Sequence, residues 1–92
     1  MENTKSNEGG TIVDVRTRGE FQGGSVAGAI NIPLQEISQK VEELRSLKGP
    51  LVLCCASGNR SGQAHRYLIQ QGIECVDGGS WLNVNNYKSQ TA

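Results

Sequence analysis

No apolar run in this chain approaches the roughly 20 residues that a membrane-spanning helix requires, so the sequence predicts no such span. Charge of one sign is lacking too. Nine basic and nine acidic residues cancel, and none cluster into a patch that would attract a polyanion, which argues against nucleic acid and against a membrane surface as partners. Histidine is almost absent, with His65 alone, and no Cys-x-x-Cys pair is found; zinc and other metals are not expected, and no cofactor is called for. Cysteine is scarce and odd in number: Cys54, Cys55 and Cys75, two of them adjacent, are a poor basis for a disulfide framework. A reducing, cytoplasmic location is the expectation, with the periplasm as the alternative if an export signal has been removed. The opening residues 1–10 have neither the basic region nor the apolar stretch of a signal peptide and read as a flexible leader.

What is present fits one small domain. Ninety-two residues with 36% hydrophobic content and a mean hydropathy of −0.42 suit a soluble monomer with a modest core. Thr11-Ile12-Val13-Asp14-Val15 reads as a short buried strand. Thr17, with Glu20 three positions on, has capping-box spacing for a helical turn that Gly23-Gly24 closes. Ala29-Ile30-Asn31-Ile32 gives a second strand, ended by Pro33. Leu34, Ile37, Val41, Leu44 and Leu47 recur every three or four residues and predict one amphipathic helix, stopped at Gly49-Pro50. Leu51 to Cys54 is a third strand, Arg60 to Gln71 a helix, and Ile73 to Val76 a fourth strand. Residues 85–92 read as a polar, frayed tail, leaving residues 11–84 as the domain. Alternating strands and helices imply a parallel sheet with helices on both faces, and ligands of such sheets sit beyond the carboxyl ends of the strands. Cys55, Arg16 and Asp77 all fall at such ends.

The segment Cys55-Ala56-Ser57-Gly58-Asn59-Arg60-Ser61 carries the chemistry. A buried strand that ends on cysteine, bends through small residues and enters a helix surrounds one sulfur with inward-facing amides, a helix N-terminus and an arginine. Such surroundings lower a thiol below its free pKa of about 8.5. Cys54 competes for the role. Strand alternation turns the two sulfurs to opposite faces, and five residues separate Cys54 from Arg60, the spacing of cysteine-dependent phosphatases, against four from Cys55. Local spacing leaves both open.

Read from Cys55, the run Ser57-Gly58-Asn59-Arg60-Ser61-Gly62-Gln63-Ala64 resembles the active loop of single-domain rhodaneses. Three further segments resemble that family in order: Ile12-Val13-Asp14-Val15-Arg16 followed by Glu20-Phe21, Val26-Ala27-Gly28-Ala29-Ile30-Asn31-Ile32-Pro33, and Val76-Asp77-Gly78-Gly79-Ser80-Trp81-Leu82. The likeness covers residues 11–84 and is similar in length to the small phage-shock sulfurtransferases. It implies a rhodanese fold trimmed at its N-terminus and a sulfurtransferase in which Cys55 takes a sulfane sulfur from a donor such as thiosulfate. The persulfide would pass that sulfur to cyanide, a small thiol or a protein acceptor. Residues Ala56, Ser57, Gly58, Asn59, Arg60 and Ser61 would bind the substrate, the loop amides would stabilise the anionic persulfide, and Arg60 would hold the loop and attract the donor.

The chain departs from the family at two places near the site. Ala56 is neutral where a basic residue often follows the nucleophile, and Gly24-Ser25-Val26 replaces a Gly-His-Ile stretch. Asp14 and Arg16 read as loop-pinning residues, with an ion pair expected to Glu20. His65 reads as a surface residue, Cys75 as inert packing and Trp81 as a lid at the core edge. Two other functions stay open: a Cys54-dependent phosphatase or arsenate reductase, and a non-catalytic rhodanese-like binding module.

Overall fold

Among the described residues every strand is followed by helix before the next strand begins, and connections of that kind bring strands together in parallel. The computed structural model describes residues 10–91, so the expected leader lies almost wholly outside the described residues. Four parallel strands, β1 (Ile12–Asp14), β2 (Ile30–Asn31), β3 (Leu51–Cys55) and β4 (Cys75–Ser80), form one sheet in the order β2-β1-β3-β4. Between β1 and β2 lies α1 (Arg18–Gln22). Between β2 and β3 come a 3-10 helix (Leu34–Gln39) and α2 (Val41–Ser46). Helix α3 (Asn59–Gln70) joins β3 to β4, and α4 (Trp81–Thr91) follows β4.

The two faces of the sheet carry separate apolar clusters. Val13, Leu51, Leu53 and Cys55 pack with Ile37, Leu44, Ala64 and Leu68 on the side of α2 and α3. On the other side Cys54 packs with Val26 and Val84, beside Ile12, Val52 and Trp81. Strand alternation alone sends Cys54 and Cys55 into different clusters. β3, central and lined by buried residues, is the rigid base on which the following loop stands.

Three sequence expectations are corrected. The stripe from Leu34 to Leu47 is not one helix: Lys40, at φ −117° and ψ 19°, separates the 3-10 segment from α2. Ser38-Gln39-Lys40 is polar and pays no burial cost for the break, while Ile37 and Leu44 still reach the same core. The fourth strand begins at Cys75 and runs on through Gly78-Gly79, residues whose poor strand propensity hides it. Gly78 is needed there, because a Cβ would lie 2.8 Å from Val84 Cγ2 and 3.0 Å from Val52 Cγ1. The frayed tail of the sequence reading is helical through Thr91. Ser80 Oγ accepts the Asn83 N–H at 3.1 Å, as an N-cap residue does, and Val84 buries itself against Cys54.

Candidate active site

Cys55 is the last residue of β3, and the chain must turn at once to enter α3. Gly58 makes that turn at φ +96°, a left-handed conformation that a side chain disfavours. Its N–H reaches Cys55 Sγ at 3.0 Å, and the N–H of Ser61, in the first turn of α3, reaches it at 3.3 Å. The Ser57 amide also favours the anionic form of the sulfur. Ser61 Oγ stands 3.6 Å from Sγ. Burial pushes the Cys55 thiol up, but hydrogen bonds from the Ser61 hydroxyl and from the Ser61, Gly58 and Ser57 amides outweigh it and bring it below the ordinary thiol range. The fully buried sulfur is thus surrounded by donors suited to an anion.

The other loop residues form the rim. Ala56, Ser57 and Asn59 are exposed, and Gly58 and Arg60 are partly so. Arg60 does not point its guanidinium freely over the sulfur. It forks onto Glu20 of α1, Nη1 to Oε1 at 2.8 Å and Nη2 to Oε2 at 3.0 Å. Glu20 is held in turn by Thr17, whose backbone N–H donates to Oε1 at 3.0 Å while its hydroxyl accepts the Glu20 N–H at 3.3 Å. The capping box expected from sequence is present. Arg60, followed by Thr17, holds the Glu20 carboxyl down at about 2. One fork therefore ties the helix that begins at the loop to the turn after β1.

The ion pair expected between Arg16 and Glu20 is replaced by a nearer one. Arg16 pairs with the buried Asp14 at the end of β1, Nη2 to Oδ2 at 2.8 Å and Nε to Oδ1 at 3.0 Å, and donates to Gly24 O at 2.7 Å. Its guanidinium also stacks 4.8 Å from the Trp81 ring centroid. The short reach from residue 16 back to 14 wins because both groups are buried and neither could be left unpaired. Trp81 thereby closes the end of the sheet over Arg16 and Gly24.

Cys54 has none of this. Burial, then the charge of Asp14, pushes its thiol up to about 12. Cys75 is buried in β4 and is likewise raised by burial. His65, half-buried on α3, makes no hydrogen bond to Cys55 among the described residues. Among these residues no cluster of histidine, cysteine or carboxylate side chains could hold a metal ion.

The rhodanese-like domain model matches residues 1–83. The chain belongs to the rhodanese family. The domain is 31% identical over 91 residues to the thiosulfate sulfurtransferase GlpE of Pseudomonas putida, covering 96% of this chain and 82% of that protein. It is 43% identical over 61 residues to YqhL of Bacillus subtilis, an uncharacterized protein, covering 66% of this chain but only 48% of that protein's length. Among solved structures, a rhodanese-related protein from Thermoplasma volcanium superposes with a TM-score of 0.71 at 37% identity, covering 85% of this chain and 77% of that one. The parallel four-stranded sheet with its helices is thus the rhodanese fold. No helix among the described residues of this rhodanese domain is long and apolar enough to cross a membrane.

Sequence reasoning missed Asp77 as a member of the site. It lies in β4, opposite Leu53, and its Oδ1 accepts the Ser61 hydroxyl at 2.6 Å and the Gly79 N–H at 3.0 Å. Position at a strand end was the only signal available. The contact itself depends on how β4 is paired with β3.

Proposed function

We propose that this rhodanese domain is a sulfurtransferase that carries sulfane sulfur on Cys55. The observation that carries the reading is the ring of amides around Cys55 Sγ, with Gly58 at 3.0 Å and Ser61 at 3.3 Å. The thiolate attacks the outer sulfur of a donor such as thiosulfate; the donor's S–S bond breaks and sulfite departs with the electron pair. The resulting persulfide is anionic at its outer sulfur, and the dipoles of the loop amides and of α3 favour that charge without having to reorganise. Cyanide, a small thiol or an acceptor protein then attacks the outer sulfur, and Cys55 leaves as the thiolate. Splitting the transfer into two displacements is covalent catalysis.

Ala56, Ser57 and Asn59 line the approach in this reading, Gly58 and Ser61 supply amides, and Arg60 fixes the loop through Glu20. Because Glu20 neutralises Arg60 locally, attraction of an anionic donor rests more on the amides than on the guanidinium. The resemblance to GlpE, named as a thiosulfate sulfurtransferase, supports thiosulfate as the first donor to test. A Cys54-dependent phosphatase would need the thiol that faces Val26 and Val84 to turn through the sheet. The test is mass spectrometry after exposure to thiosulfate. A gain of one sulfur atom on Cys55, reversed by cyanide and absent in Cys55→Ser, is expected; no gain overturns the proposal.

A further inference from the structure

Ser61 has one hydroxyl proton and three neighbours that compete for its orientation. Asp77 Oδ1 lies at 2.6 Å, Gly58 O at 3.2 Å and Cys55 Sγ at 3.6 Å. A separation of 2.6 Å is that of a charge-assisted bond from a hydroxyl to a carboxylate, about twice as strong as a neutral one. With its proton on Asp77, Ser61 turns a lone pair toward the sulfur. That lone pair suits the S–H of a neutral thiol and opposes a thiolate.

We propose that Asp77 is a positioning residue that holds the Ser61 hydroxyl proton away from Cys55 Sγ while the thiol is neutral and yields it when the sulfur becomes anionic. When a base in solution takes the Cys55 proton, the Ser61 O–H turns from Asp77 to the sulfur, and the carboxylate keeps the Gly79 N–H at 3.0 Å. No bond beyond S–H is made or broken in the chain. Asp77 is exposed, so water takes over the vacated lone pair, whereas the sulfur is fully buried and depends on Ser61. Register places the carboxylate for this. Asp77 pairs with Leu53 and Gly79 with Cys54, so Gly78 is an extra residue in β4, and a bulge of this kind re-aims the side chains beside it.

The charged groups around the pair are accounted for. From α3, Arg60 faces the loop but is forked onto Glu20 of α1, and Arg66 borders the space above Gly62 that Asp77 Oδ2 also borders. From β1, Asp14 is taken up by Arg16, and on β3 the neighbouring Cys54 is held neutral. This inference rests on the proposed role of Cys55 as the sulfur that ionises.

A double-mutant cycle on the full chain separates a path through Ser61 from the bare charge of Asp77. Cys55 ionisation is followed by thiolate ultraviolet absorbance against pH, with Cys55→Ser as the reference. Asp77→Asn is expected to lower the midpoint by about half a unit to one unit, or about three to ten times more thiolate at a pH below it. In a Ser61→Ala background the same substitution is expected to move nothing. A shift of equal size in that background, an upward shift, or no shift from Asp77→Asn alone overturns the proposal. Ser61→Gly supplies a second hydroxyl-free background should Ser61→Ala not fold, and the same outcomes decide there. Thiosulfate loading is measured in parallel. The expected shift without sulfur uptake would overturn the sulfurtransferase reading and leave Asp77 in place, while uptake without the shift would do the reverse.

Discussion

Cys54 and Cys55 share a peptide bond and an equal depth of burial, yet their sulfurs sit in opposite chemistry. Cys54 faces Val26 and Val84 and is pushed up to about 12, whereas Cys55 faces the turn of Gly58 and Ser61 and lies below the ordinary thiol range. Both are desolvated, and desolvation alone raises a thiol. The difference is what the strand's alternation lets each sulfur meet: side-chain methyls on one face, backbone amides on the other. Reactivity here is a property of the loop, and β3 decides which cysteine the loop receives.

That contrast can be broken most completely by exchanging sulfur for oxygen. Cys55→Ser is expected to abolish sulfur uptake from thiosulfate, read by mass spectrometry, while Cys54→Ser retains it. The second variant carries its cost in stability, since an unpartnered hydroxyl among apolar groups costs about 1–3 kcal/mol, measurable by urea unfolding. Gly58→Ala tests the amide side of the comparison. A side chain at φ +96° costs about 1–2 kcal/mol, and relaxation of the turn tilts the N–H away from Sγ, so the Cys55 ionisation midpoint rises toward that of a free thiol. Should the midpoint stay put, the amides are not its cause.

Titration sharpens the same comparison. Because the folded state holds Cys55 below its unfolded value, its ionisation favours folding above the unfolded pKa, and that contribution fades as pH falls through the folded midpoint. Iodoacetamide reaction should therefore begin at Cys55 below the pH at which a free thiol reacts, with Cys54 silent until far higher pH. The smallest expected effect concerns Glu20. With its carboxyl at about 2 against an ordinary value near 4.3, its support of the folded state is complete above the ordinary value and is lost as pH falls toward 2. Carboxyl titration by nuclear magnetic resonance should show Glu20 as the outlier, and Arg60→Gln should raise it toward the ordinary range, with the Thr17 bonds still holding it below.

How legible each part was in the sequence follows the distance over which it is determined. The β3 strand, the loop after it and the Thr17–Glu20 capping box are set within a few residues, and their patterns gave them away. The partner of Glu20 lies 40 residues along the chain at Arg60, and spacing suggested Arg16 instead. Asp77 reaches Ser61 only because β4 bulges at Gly78, and no local pattern encodes the register between two strands. Helix α4 was hidden by its polar composition, since the few residues that anchor it, Trp81 and Val84, gain their meaning from the sheet they cover.

The opposed directions of the two neighbouring thiols carry one more consequence, for oxidation. A disulfide needs its Cβ atoms about 3.5–4.5 Å apart with converging vectors, and residues side by side in an intact strand cannot meet that condition. Cys75 is no substitute, because it pairs with Leu51, about 13 Å back along β3 from Cys55. An oxidant that reaches Cys55 therefore meets no resolving thiol within the chain, and repair falls to a thiol brought by another molecule.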